Sequence, residues 1–185
     1  MIKNIFLICF LFGNAMAFSE EVIANSLKKQ AILGQIDSKI LYTLAKIESN
    51  FNPLIISFTH SHTNFDFKNL KKKVSRYKNK YLLSFTGAEK DLQEALKILI
   101  RQGIRVDAGL MQINSVNFNE NEIAFIFKPA FNIEKSTFVL KQCIASKSKI
   151  KDSIECYNKG MRKVTNFDYY ERFKKHYLKD FGGII

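Results

Sequence analysis

Proline occurs only twice, at Pro53 and Pro129, and neither stands in a proline-rich stretch, so no stiff linker divides the chain. No internal repeat is visible either. Cysteine is scarce: Cys9, Cys143 and Cys156 form no CxxC pair, and His60, His62 and His176 keep no zinc-site spacing with them. No metal centre and no cofactor are therefore expected, and His60-Ser61-His62 reads as a solvated loop. Acids are outnumbered, 17 against 29 basic residues, for a net charge of +12. Such a balance draws the chain to anionic surfaces: phospholipid head groups, nucleic acid or the acidic peptides of a cell wall. No helix-turn-helix, RRM or zinc-finger pattern accompanies the charge, so nucleic acid is not the expected partner.

The apolar run from Asn4 to Phe12 is shorter than the about 20 residues that span a bilayer, which excludes a stable membrane anchor. A positive start at Lys3 and the small-x-small triplet Ala15-Met16-Ala17 make residues 1–17 a cleavable signal peptide. Residues 18–185 then form one exported domain, carrying +11 after the loss of Lys3 and long enough to bury a core without disulfide support. Cys9 lies inside the apolar run, a poor site for lipidation. In an oxidising compartment Cys143 and Cys156 either bridge, worth about 2–4 kcal/mol, or remain as two buried thiols.

Val22, Ile23, Leu27 and Ala31 predict a first helix over Glu20–Leu33, closed by Gly34. Asp37 is a good N-cap for a second that runs to about Glu48, where Pro53 prevents its continuation. Residues 54–85 lack a helical period, and their aromatic and β-branched clusters predict a sheet of two or three strands. Thr86 and Glu89 have the spacing of a capping box before a third helix that ends at Gly103. Asp107 is expected to cap a short helix over AGLMQIN, and further helices are expected at about 133–145, 151–157 and 167–178. Phe167, Tyr170, Phe173 and Tyr177 form the expected core stripe of the last. The fold class is mainly α (α+β), with a small sheet between the second and third helices.

Glu48 is the best candidate for chemistry. Ile40, Leu41, Leu44, Ala45 and Ile47 bury one face of its helix, so the acid is held on a rigid element against apolar walls that favour its protonated form. Glycosidic bond cleavage requires such an acid to protonate a poor leaving oxygen. No second acid is near in sequence. Asp66 and Asp107 are those that folding can bring close, although Asp107 already serves as the expected helix cap.

ESNFNP at 48–53, Ser57, AGLMQIN at 108–114 and CYNKG at 156–160 occur in the order that resembles lytic transglycosylases of the soluble-transglycosylase (SLT) type. The long segment between Ser57 and GLMQ, with its own helix and Val106-Asp107-Ala108 before the motif, is similar to the subgroup encoded with type IV secretion and conjugation systems. The resemblance implies a lysozyme-like fold, a periplasmic location, peptidoglycan glycan strands as substrate, and cleavage of the β-1,4 bond between N-acetylmuramic acid and N-acetylglucosamine with 1,6-anhydromuramoyl ends. It assigns the acid/base role to Glu48 and places Ser57, Gln112, Asn114 and Tyr157 along the glycan cleft. Secretion-machine components are the implied protein partners.

Plainer readings stand beside several of these roles. Tyr157 is otherwise a buried aromatic with its hydroxyl bonded to backbone, and Ser57 a serine capping a turn. Leu110 and Met111 belong to a cleft wall or to the core. The basic stretch Lys68–Lys80 is a solvated loop or a contact for wall peptides, membrane or secretion machinery. As a whole the chain is either a transglycosylase or an exported scaffold that keeps the shell without catalysis.

Overall fold

The computed structural model describes residues 18–163 and 165–183. The signal peptide expected at 1–17, with Cys9, lies outside them. Among the described residues, six α-helices accompany a small antiparallel sheet. Helix α1 (Glu20–Gly34) starts at Ser19, whose hydroxyl accepts from Val22 N at 3.3 Å, and ends on left-handed Gln35. Gly34 is required there by contact rather than by backbone angle, since a Cβ would lie 2.4 Å from Thr137 Cγ2. Helix α2 (Ser38–Ser49) is capped by Asp37, which accepts from Lys39 N at 2.8 Å. Its apolar face is the expected one: Leu41, Leu44 and Ala45 are fully buried, with Ile40 and Ile47 packed at the margin.

The sheet contains strands β1 (Ile55–His60), β2 (Lys71–Tyr77), β3 (Lys80–Thr86), β4 (Asp107–Ala108) and β5 (Ile113–Asn114), ordered β2-β3-β1-β4-β5. Ile56, Phe58, Leu83 and Phe85 alternate onto the buried face, as the period of two requires. The basic segment is thus the edge hairpin of a sheet, not a loop. Helix α3 (Glu89–Arg101) follows, with Leu92, Ala95, Leu96 and Leu99 in the core. The capping box expected from Thr86 does not form, because Thr86 is the last residue of β3, paired to both Ile55 and Lys71. Ala88 is the N-cap and makes no side-chain bond, while Glu89 pairs with Lys128 at 2.9 Å.

Helices α4 (Pro129–Ser146), α5 (Ile150–Lys159) and α6 (Asp168–Phe181) complete the domain. Cys143 of α4 and Cys156 of α5 are joined as a disulfide, with Cα atoms 5.7 Å apart. On α6 the buried stripe is Tyr169, Phe173 and Tyr177 rather than the stripe expected from Phe167 and Tyr170. The helix begins only at Asp168, and i, i+4 spacing from Phe173 selects Tyr169. Among the described residues, no helix is long and apolar enough to cross a membrane.

Candidate active site

Glu48 occupies the last turn of α2, where the chain must reverse sharply toward the sheet. Asn50 and Phe51 both take left-handed backbone angles, φ 51° and 62°, and donate back to Lys46 O and Ala45 O at 3.0 and 3.3 Å. Asn tolerates that conformation; Phe51 does so while its ring packs 4.8 Å from that of Tyr42. Lys46, one turn below Asn50, pairs with Asp180 of α6 at 2.6 Å and so fastens the two helices. The acid therefore stands on a helix end fixed from three sides.

The AGLMQIN segment is not the helix that Asp107 was expected to cap. Left-handed Gly109 (φ 78°) and Gln112 (φ 46°) turn it back on itself, so that Asp107–Ala108 pairs with Ile113–Asn114. Only glycine fits at 109: a Cβ would come within 2.4 Å of Asn132 Nδ2 and 2.7 Å of Ile126 O. Fully buried Asn132 is the post around which the turn is built. Its Oδ1 accepts from Met111 N at 2.7 Å, and its Nδ2 donates to Ala108 O at 3.0 Å and Ile126 O at 2.8 Å. Two further bonds clamp the turn to the helices: Ser49 Oγ donates to Leu110 O at 2.7 Å, and the Tyr157 hydroxyl donates to Met111 O at 2.9 Å. Ser136 Oγ lies 2.8 Å from the same hydroxyl.

These clamps bring α2, β4, α5 and α6 together around one carboxyl group. Tyr169 of α6 donates its hydroxyl to Glu48 Oε1. Glu48 keeps partial solvent access, yet the protein atoms packed around it displace most of the water that would stabilise its charge. That desolvation pushes its pKa up to about 7; the Tyr169 hydrogen bond and the Arg172 cation pull it down, and the Asp107 carboxylate pushes it up. The C-terminal end of the α2 dipole acts in the same direction as burial. Asp107 is also raised, to about 6, by burial, against the Asn114 Nδ2 bond that its Oδ1 accepts at 2.7 Å. Burial, together with the Glu48 charge, raises the Tyr157 and Tyr169 phenols, which stay neutral donors. The site thus couples two carboxyl groups, both with raised pKa values, of which Glu48 is the more strongly raised.

Each residue singled out from sequence has a definite place. Tyr157 borders the acid, with its one proton directed to the backbone. Asn114 holds Asp107, and Gln112 donates Nε2 to Gly109 O at 2.9 Å within its own turn, both partly open to solvent. Ser57 makes no hydrogen bond to Glu48; it is buried on β1, opposite Asp107, and its Oγ lies 3.2 Å from Ser84 Oγ. Asp66 is exposed and paired with Lys72 at 2.9 Å. The His60 and His62 rings pack on Phe65, and no group of three metal-ligating side chains occurs among the described residues. Sequence reasoning missed Tyr169 and Asn132. The i, i+4 series Tyr169, Phe173, Tyr177 signals the former, whereas nothing local marks Asn132.

A helical shell that holds a partly exposed carboxyl group of raised pKa beside a short antiparallel sheet defines a lysozyme-like domain with the equipment for glycosidic bond cleavage. The family model for the transglycosylase SLT domain matches residues 25–179, and the chain belongs to that family, whose activity is lytic cleavage of peptidoglycan. Neither a curated protein nor a solved structure matches the chain.

Proposed function

We propose that this protein is an exported lytic transglycosylase in which Glu48 alone serves as acid and then as base. Glu48 gives its proton to the oxygen leaving from the muramoyl C1, and the C1–O bond breaks as positive charge develops on the sugar. The carboxylate then takes the proton of the same sugar's C6 hydroxyl as O6 bonds to C1. A 1,6-anhydro ring results, no water is consumed, and Glu48 ends protonated as it began. Intramolecular attack has the advantage of proximity over free water. The observation that carries this reading is the placement of Glu48 in the last turn of α2, desolvated by its neighbours and hydrogen-bonded by Tyr169, which together set its pKa at about 7.

Asp107 has a supporting role. Its pKa lies below that of Glu48, so it ionises first and its charge keeps the proton on its neighbour. Gln112, Asn114 and Ser57 line the glycan path, and Tyr157 fixes the Met111 carbonyl that walls it. Residues 1–17 direct the chain to the periplasm, a compartment that suits the Cys143–Cys156 bridge. There it opens the wall locally for assembly of a type IV secretion or conjugation apparatus, as the long insertion before AGLMQIN suggests.

The test is the mass of soluble fragments released from peptidoglycan by the purified protein. Anhydromuropeptides are expected, and Glu48→Gln abolishes their release without unfolding the domain. Reducing-end products instead would make the reaction a hydrolysis with Asp107 as the second acid. Release that survives Glu48→Gln would leave the proposal without its acid.

A further inference from the structure

Cross-strand pairing produces a polar row that the cleft residues only begin. Asn114 pairs with Asp107, Asp107 with Ser57, Ser57 with Ser84, and Ser84 with Lys73. Directly paired residues point to the same face, so this row crosses all five strands on the side away from the core. It leads from Asp107 to a concavity of about 290 Å³ whose lining includes Ile55, Lys71, Lys72, Lys73, Ser84 and Thr86. Hydrogen bonding separates the lysines by job. Lys72 also borders the concavity, but its ammonium is consumed by Thr63 O, Phe65 O and Asp66, whereas Lys71 and Lys73 have no ion-pair partner among the described residues.

Resting on the glycan-cleaving reading above, we infer that this concavity is a subsite for a free carboxylate of the stem peptide carried by the muramoyl sugar. Three strand steps of about 4.8 Å put Lys73 about 14 Å from Asp107 along the row. A stem of three or four residues, at about 3.3 Å each, covers most of that distance. The charges at the two ends give the row a direction: Asp107 repels a carboxylate at the acid end, and Lys71 and Lys73 attract it at the far end. Ser57, Ser84 and Thr86 supply hydroxyls between, suited to peptide amides, and Ile55 an apolar patch for a methyl side chain. Peptide-bearing strands are therefore favoured over bare ones, and their register in the cleft is set.

The test compares peptide-bearing strands with strands stripped by an amidase. In Lys71→Ala/Lys73→Ala, the ratio of kcat/KM on the first to that on the second falls roughly fivefold, the yield of two solvent-exposed charge contacts. Lys71→Arg/Lys73→Arg restores the ratio, and added salt lowers it in the wild type. An unchanged ratio overturns the subsite, as does a loss equal on both substrates. Titration of a soluble disaccharide-peptide and its carboxamide analogue, followed by amide chemical shifts, judges the subsite apart from turnover. Weaker binding of the carboxamide, with shifts on β2 and β3, is expected even if no anhydro product is ever found; shifts elsewhere, or tighter binding of acidic lipid vesicles that the double variant loses, refute it.

Discussion

Tyr169→Phe isolates the hydrogen bond that restrains the Glu48 proton. The phenol ring is nearly buried and the phenyl ring fills the same space, so packing is preserved while the donor is lost. A hydrogen bond to a charged acceptor is worth about 1.5–3 kcal/mol. Partial solvent access to Glu48 reduces this to about 1.4 kcal/mol, one pKa unit. The bond favours the carboxylate, so its loss raises the Glu48 pKa from about 7 toward roughly 8. The free-enzyme profile of kcat/KM for anhydromuropeptide release then keeps its acid limb and moves its alkaline limb up by about one pH unit. At pH 8 the protonated fraction rises from about one-tenth to about one-half, so the variant outperforms the wild type roughly fivefold there, a gain that fades toward pH 6. Carbon-13 chemical shifts of labelled glutamate follow the same titration without turnover. An alkaline limb that stays at pH 7, or moves to lower pH, refutes the assignment of Glu48 as the proton donor under Tyr169 control.

Stability carries the same sign. The folded state holds a Glu48 proton that the unfolded chain releases between pH 4.5 and about 7, so unfolding free energy falls as pH rises through that window. The limit is about 3 kcal/mol, reduced to about 1–2 by solvent access, and Glu48→Gln is expected to gain several degrees in Tm over the wild type at pH 8 but not at pH 4.5. Gly109→Ala places a methyl group against Asn132 and Ile126 at a left-handed position, costing about 2–4 kcal/mol in a urea titration. Cys143→Ser/Cys156→Ser opens a loop of 13 residues' separation and costs about 3 kcal/mol; an unchanged Tm under reducing conditions would argue against the bridge.

What was legible in the sequence was local. Asp37, the Leu41-Leu44-Ala45 face and the stop before Pro53 announce α2 because capping and periodicity act within one or two turns. Glu48 is visible as the acid at that helix end. The strands β4 and β5 were not, since two residues each carry no period; Asp107 looked like a cap because an isolated acid before a short apolar run has that appearance. Its place opposite Ser57 depends on pairing across some fifty residues, which no local pattern encodes. The capping box at Thr86 failed for a related reason: strand partners on both sides hold Thr86 in the sheet, and the N-cap falls two residues later, at Ala88. Tyr169 was missed by a register error, and Asn132 because a buried amide with three backbone partners is recognised only once those partners are in place.

The bond between Tyr169 and Glu48 joins two residues 121 positions apart. The acid lies near the start of the domain and its phenolic partner near the end, so the contact forms only after nearly the whole chain has folded. Helix α6, which carries Tyr169, must therefore dock before the environment that sets the Glu48 pKa is complete.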